Sequence, residues 1–234
     1  MALNLTKDKC LPKHVAFIMD GNRRWAKKKC VPIIEGHRKG SNIIKSIVKV
    51  SLSLNIKYLT FFSFSTENWN RKTNEVIELQ KLLDFYLDSQ NNNFLENKIN
   101  FKVIGDLDKF TSTTKKKIIK LEQQTSSFNK LFFVLALSYG SRTEIIAAIN
   151  KILQNKIKKI SEKDLSSFLM TKNYPDPDLV IRTSGEKRLS NFLLWQIAYS
   201  ELYFTRTLWP DFNSYKYKLA LQDYVNRKRR FGGD

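Results

Sequence analysis

The chain has 234 residues, 42% of them hydrophobic and 12% aromatic, enough to bury one sizeable core and near the upper size for a single domain. Its 41 Lys and Arg against 22 Asp and Glu leave a net charge of +19, which selects anionic partners (nucleic acid, a membrane surface or phosphorylated small molecules) without selecting a fold. Two cysteines, Cys10 and Cys30, lack CxxC spacing, the amino-terminal segment lacks the apolar run of a signal peptide, and no apolar stretch approaches spanning length, so neither a disulfide framework, a zinc site nor a membrane span is indicated. A protein of the reducing cytoplasm is expected, with any membrane contact peripheral.

In chain order, "HVAFIM" (14–19) reads as the first strand and runs straight into "DGNRRW". Ile43, Ile44, Ile47 and Val48 then share one face of a helix. "YLTFFSF" (58–64) is the second strand, followed by the polar "SFSTENWNR". Val76, Leu79, Leu83 and Tyr86 mark another helix, with "DSQNNN" (88–93) expected to turn or kink it. "INFKVIG" (99–105) and "LFFVLAL" (131–137) are further strands, the latter leading to "SYGSR". A helix with Ile145, Ile146, Ile149, Ile152 and Leu153 on its apolar face follows, and Ser161 is a plausible N-cap for a second helix, with Asp164 three residues on. "YPDPDL" re-enters the sheet, "DLVI" (178–181) leads to "RTSGEKR", and "LYFT" (202–205) closes the series. This β-α-β-α rhythm, unbroken by any linker, predicts one α/β domain over residues 1–234: a central parallel sheet of about six strands flanked by helices.

Four strands end in an unusual polar cluster. In an open parallel sheet ligands bind beyond the carboxyl ends of the strands, so the four clusters converge on one rim. "DGN" alone has an ordinary explanation, a capped helix after a tight glycine turn. The "RRWA" behind it favours a phosphate, because free N–H groups at a helix start and nearby arginines together make an anion site. An acid at Asp20 would repel that phosphate unless a divalent cation lay between them, and an oxygen-only set suits Mg²⁺. Ser65, Glu67, Asn68, Trp69 and Arg71 stand at the second cluster, and Arg182, Thr183, Ser184, Arg188 and Ser190 at the last; surface ion pairing is the alternative for these arginines. Neither GxxxxGK[ST], GxGxxG nor GxSxG occurs, which removes nucleotide P-loop, dinucleotide and hydrolase readings.

Taken together, "HVAFIMDGNRRWAK", "GHRKG", "YLTFFSFSTENWNR", "SYGSRTEI", "PDPDLVIRTSGEKRLSNFLLWQIAYSELYFT", "WPDF" and "RKRRFGG" resemble the cis-prenyltransferases, in particular bacterial-type undecaprenyl diphosphate synthases, over nearly the whole chain. The resemblance implies a homodimer with a hydrophobic tunnel that adds isopentenyl diphosphate repeatedly, with cis geometry and Mg²⁺, to an allylic diphosphate, usually farnesyl diphosphate, giving a polyprenyl diphosphate such as undecaprenyl diphosphate. It implies Asp20 as the catalytic and metal-linked acid and Gly21, Asn22, Arg23, Arg24 and Trp25 as the allylic diphosphate site, with His37 and Arg71 as further contacts. Ser65, Thr66, Glu67 and Trp69 are implied in substrate positioning, Asn68 in proton removal, Arg182, Arg188, Leu189 and Ser190 in holding isopentenyl diphosphate, and Glu201 as the second metal-associated acid. On pattern alone His37 reads equally as a hydrogen-bonded helix-start residue and Glu201 as solvent-facing. Ile33 stands where many relatives carry arginine, and the tail "RRFGG" resembles one that completes a partner's site.

The growing hydrocarbon needs an apolar refuge, for which "YLTFFSF" and "VIELQKLLDFYL" are candidates, ordinary core being the alternative. Two competing functions remain: a non-catalytic lipid-binding or partner subunit of a prenyltransferase complex, and a basic nucleic-acid-binding module. The first is disfavoured by retention of Asp20, Arg182 and Glu201. The second is disfavoured because the aromatics sit in apolar strands, so no specific nucleic acid is expected.

Overall fold

The computed structural model describes residues 10–157 and 159–229. Six strands form one all-parallel sheet: β1 (His14–Ile18), β2 (Tyr58–Ser65), β3 (Ile99–Ile104), β4 (Leu131–Tyr139), β5 (Leu179–Arg182) and β6 (Glu201–Phe204), in the spatial order β3-β4-β2-β1-β5-β6. The expected strands are all present, their ends displaced by one residue, except that β4 runs two residues farther, to Tyr139. Helices α1 (Asn22–Lys28) and α2 (Ile33–Ser53) lie between β1 and β2, and α3 (Thr73–Glu96) between β2 and β3. Then α4 (Ser112–Thr125) precedes β4, α5 (Ser141–Gln154) and α6 (Glu162–Phe168) precede β5, and α7 (Ser214–Asn226) follows β6.

Strand alternation sorts side chains into two cores, as the two-residue period requires of a sheet covered on both faces. Val15 and Phe17 of β1 and Phe133, Leu135 and Leu137 of β4 enter the larger core with α2, α3, α4 and α7, where Phe17 stacks on Phe61 at 5.0 Å. Ala16, Ile18, Val134 and Ala136 face the smaller core, closed by Phe192, Leu193 and Ile197 from the turn-rich segment before β6. His14 is buried at the base of β1, its Nδ1 donating to the Pro175 carbonyl (2.7 Å) and its Nε2 accepting from the Thr60 hydroxyl (2.8 Å). Burial pushes its pKa down to about 4, against the weaker upward pull of the Pro175 carbonyl and Asp178.

Two sequence expectations need correction, and two helices were not expected at all. "DSQNNN" does not interrupt the helix: α3 runs unbroken through it, because Tyr86, Leu87, Gln90 and Phe94 are all buried and their packing overrides the poor helix propensity of asparagine. On α5, Ile146 and Leu153 face outward at 59% and 64% exposure, while Ala148 and Ile152 make the contact with α6, a narrower stripe than the five apolar residues suggest. Helices α4 and α7 were not read from the sequence: α4 has only Ile118, Ile119 and Leu121 among its lysines, whereas α7 carries an apolar face, with Tyr217, Ala220, Leu221 and Tyr224 buried, that was overlooked. The expected cap at Ser161 is present, with Ser161 N–H donating to Asp164 at 2.8 Å and Asp164 N–H to the Ser161 hydroxyl at 3.2 Å.

Candidate active site

Because Ile18 is in register with both Phe62 and Arg182, the segments leaving β1, β2 and β5 emerge side by side at the carboxyl rim. The chain leaves β1 for β2 on one side, while β5 lies on the other, so β1 stands at the point where the connections diverge and a crevice opens. A cleft of about 840 Å³ occupies it, lined by Asp20, Gly21, Asn22, Arg23, Arg24, His37, Ser65, Glu67, Asn68, Arg71, Arg182, Arg188 and Ser190. Thirteen of the residues implied by resemblance therefore share one cavity.

Asp20 is fixed by its backbone: its carbonyl accepts from the Thr183 hydroxyl (2.6 Å) and from Trp209 N–H (3.0 Å). Gly21 follows at φ 115, which only glycine adopts without strain, and forms the start of α1 without any side-chain cap. The capping explanation of "DGN" is thus set aside. Asp20 instead accepts from Arg24 Nη2 (3.1 Å) and Arg182 Nη2 (3.0 Å) through Oδ2. Burial pushes its carboxyl up, but the Ser184 hydroxyl, the Arg182 fork and the charge of Arg24 outweigh this and hold it below the usual carboxylate range. It is a carboxylate at neutral pH.

Arg182 is 4% exposed and already occupied, donating to Asp20, to the Ser190 hydroxyl (2.8 Å) and to the Arg188 carbonyl, while its Nε is buried without a partner. It shapes the β5 side of the cleft from below. Arg188, more exposed, pairs with Glu186, which also reaches Arg24 at 3.1 Å.

On the other side α1 and α2 cross closely, since a Cβ on Gly36 would lie 2.3 Å from the Asn22 carbonyl. This crossing brings His37 beside Arg71 and Arg23. Burial, then those two cations, push His37 down to about 4, so it stands neutral, with Nε2 buried and unpartnered. A hydrogen-bonded helix-start residue would not leave that nitrogen open. Asn68 spends its side-chain oxygen accepting from Ser65 N–H (3.1 Å). Glu67 accepts from Asn191 (3.2 Å), and its carboxyl is held low because its own backbone N–H, Ser65, Asn191 and Thr66 outweigh the upward push of burial.

Five implied residues lie outside the cleft lining. Trp25, one position along α1 from Arg24 and so swung about 100° around the axis, donates to Asp211 (2.9 Å) beneath Lys39. Trp69 donates to Ser138 (2.9 Å) and packs edge-on against Phe64 and Phe110, as core. Thr66 lies against the Gly140 turn, and Leu189 against the smaller core. Glu201 is in register with Leu179, at the amino end of β6, three rungs or roughly 10 Å below the level of Arg182, and it pairs with Arg227 (2.7 Å). The structure does not bring Glu201 to Asp20. Ile33 opens α2 and is absent from the cleft lining. The tail beyond Arg229 lies outside the described residues.

Behind the cleft lies an apolar cavity of about 90 Å³, walled by Ile44, Phe64, Leu79, Leu82, Leu83, Tyr86, Phe110, Leu135, Leu137 and Trp209. Met19, Asn22, His37 and Ser63 line both spaces. Among the described residues no group of three or more His, Cys, Asp or Glu could hold a metal ion by itself. The single carboxylate of Asp20 fits Mg²⁺ only if phosphate oxygens and water complete the shell, the arrangement this ion ordinarily accepts.

Glu75, Glu186 and Asn191 were missed in the sequence. Glu75 had a signal, standing four residues after Arg71 at the start of a helix; Asn191 had none.

A family model described as undecaprenyl diphosphate synthase matches residues 18–232. The isoprenyl transferase of Fusobacterium nucleatum is 47% identical over 226 residues, covering 97% of this chain and 98% of that protein. The isoprenyl transferase of Aquifex aeolicus is 45% identical over 222 residues, covering 95% and 96%. Among solved structures, lavandulyl diphosphate synthase from Lavandula x intermedia, in complex with dimethylallyl diphosphate, is similar with a TM-score of 0.91 and 37% identity, over 95% of this chain and 98% of that one.

Proposed function

The chain belongs to the prenyltransferase family of undecaprenyl diphosphate synthases, and on that premise we propose that it adds isopentenyl diphosphate units, with cis geometry, to an allylic diphosphate such as farnesyl diphosphate, releasing a polyprenyl diphosphate of undecaprenyl type. One observation carries the reading: five arginines (Arg23, Arg24, Arg71, Arg182 and Arg188) surround Asp20 in a cleft that shares a wall with an apolar cavity. That is the form needed for a charged head and a hydrocarbon tail. The dimethylallyl diphosphate bound by the plant relative supports an allylic diphosphate as one ligand.

The allylic diphosphate takes the side built from Arg23, Arg71, His37 and the start of α1, and isopentenyl diphosphate the side built from Arg188, Ser190 and the underlying Arg182. When the allylic carbon–oxygen bond breaks, negative charge grows on the leaving diphosphate, and guanidinium groups fixed in place beforehand stabilise it without reorganisation. Holding the alkene of the second substrate against the allylic carbon turns an encounter into a positioned reaction. The new carbon–carbon bond forms, and a proton is lost to restore the double bond. A phosphate oxygen of the substrates takes this proton, with Asn68 assisting. Asp20 would hold Mg²⁺ together with phosphate oxygens; the ion supplies charge neutralisation for the leaving group. His37, neutral, serves as a hydrogen-bonding wall between head and tail.

The lengthening chain would part the walls of the apolar cavity, gaining roughly 0.8 kcal/mol per buried CH₂. Release at a membrane surface follows, with turnover raised by detergent. No described helix is long and apolar enough to cross a membrane. A homodimer is part of the same reading, to be checked by sedimentation. The decisive experiment is incubation with farnesyl diphosphate, labelled isopentenyl diphosphate and Mg²⁺, followed by mass analysis of the lipid. A ladder of five-carbon additions is expected; no extractable product, or a single addition only, rejects chain elongation.

A further inference from the structure

Two cleft arginines are held by a carboxylate that none of the four strand-end clusters supplies. Glu75, in the first turn of α3, meets Arg71 at 3.1 Å through Oε1 and Arg23 at 3.7 Å through Oε2, with its side chain only 11% exposed. Arg71 comes from the end of the turn after β2, and Arg23 from α1, so one carboxylate joins three separate segments. The amino-terminal dipole of α3 already favours an acid in its first turn, so Glu75 does not need two arginines for its own stability. Those arginines flank His37, whose buried Nε2 has no partner.

We propose that Glu75 is a built-in competitor for the allylic head group: it pre-positions Arg23 and Arg71 through its own negative charge and gives them up to the incoming diphosphate. The inference rests on the reading of this side of the cleft as the allylic diphosphate site. Two guanidiniums and one carboxylate leave a single net positive charge. A diphosphate bringing two or more negative charges would lie against a largely desolvated carboxylate, where like charges repel far more strongly than in water. The conflict is relieved when Glu75 swings off its arginines. Because Leu79, Leu83 and Tyr86 follow it along α3 and wall the apolar cavity, the exchange also unfastens the amino end of that wall. Head-group capture and room for the tail are thereby linked.

Glu75→Gln keeps an acceptor for Arg71 while removing the charge. By calorimetry with Mg²⁺ present, its Kd for farnesyl diphosphate is expected to fall about fivefold or more, with the Kd for isopentenyl diphosphate unchanged. Glu75→Asp, which keeps the charge, should stay near wild type. A folded Glu75→Gln protein that binds farnesyl diphosphate no better than wild type overturns the proposal, as does equal tightening in Glu75→Asp. The wild-type protein gives a second arm: saturating inorganic pyrophosphate should speed amide exchange over residues 73–79, and unchanged or slower exchange there also overturns it. If the wild type binds these ligands with the expected charge dependence yet makes no polyprenyl product, elongation fails and the competitor role stands. Elongation with an indifferent Glu75→Gln fails the competitor role alone.

Discussion

The polar cleft and the apolar cavity meet at Met19, Asn22, His37 and Ser63, yet they are built on opposite principles. The cleft is assembled by charge: Asp20, Glu75 and Glu186 each bridge two arginines, so its geometry is set by ion pairs at 3.0 to 3.7 Å together with the closely held Arg188–Glu186 contact. The cavity is walled mainly by apolar side chains of α2, α3 and the strands, together with Phe110 and Trp209. Ion pairs hold fixed positions suited to a head group that is the same in every cycle. Apolar walls have no directional preference and suit a tail that changes length. None of the boundary residues carries a charge: Asn22, Ser63 and the neutral His37 are polar and Met19 is apolar, a graded partition between the two.

The largest test strikes the charged side. Asp20→Ala should lower turnover by about a thousandfold or more while the thermal midpoint stays within a few degrees, as measured by label incorporation and calorimetry; near-wild-type turnover would remove Asp20 from the chemistry. Arg182→Ala should raise the KM for isopentenyl diphosphate by about tenfold or more and leave the allylic KM nearly unchanged, so parallel changes in both would erase the division of the cleft into two sides. Leu83→Trp, which fills the cavity without touching the cleft, should shorten the product while sparing the first additions; full-length product would show that the tail lies elsewhere.

The smallest effect is on stability and reaches the partition itself. His37 and His14 both have folded pKa values lowered from 6.5 to about 4. The unfolded chain takes up protons below pH 6.5 that the folded chain refuses until about pH 4. Stability is therefore fully present above pH 6.5 and lost as pH falls toward 4, by up to about 3 kcal/mol for each histidine. Urea unfolding at pH 7 and pH 4.5 measures this, and equal midpoints would contradict it.

Much of the cleft was legible because arginines and a lone acid at the ends of apolar strands are costly unless they serve a ligand. Sequence order told which residues reach the carboxyl rim, but not which way each side chain turns there. Trp25 and Trp69 belong to rim motifs and still point away, one to Asp211 and one into the core, since a single step along a helix or turn redirects a side chain completely. Glu201 shows a different limit: its neighbours in sequence belong to the site's pattern, while strand register puts it at the amino end of β6, away from Asp20 of the same chain. "DSQNNN" looked like a break because propensity is local, whereas the burial that keeps α3 continuous comes from distant strands.

That continuity has a mechanical consequence. Twenty-four residues of unbroken helix make α3 a rod about 36 Å long. One end is pinned by Phe94, 1% exposed and wedged against Phe101 and Phe133 at ring distances of 5.4 and 5.2 Å. The other is tethered by Glu75. A stiff rod fixed at one end pivots there, so a small yielding at the tethered end sweeps Leu79 and Leu83 farther than Tyr86, and the lining moves most beside the shared partition and least at its deepest point.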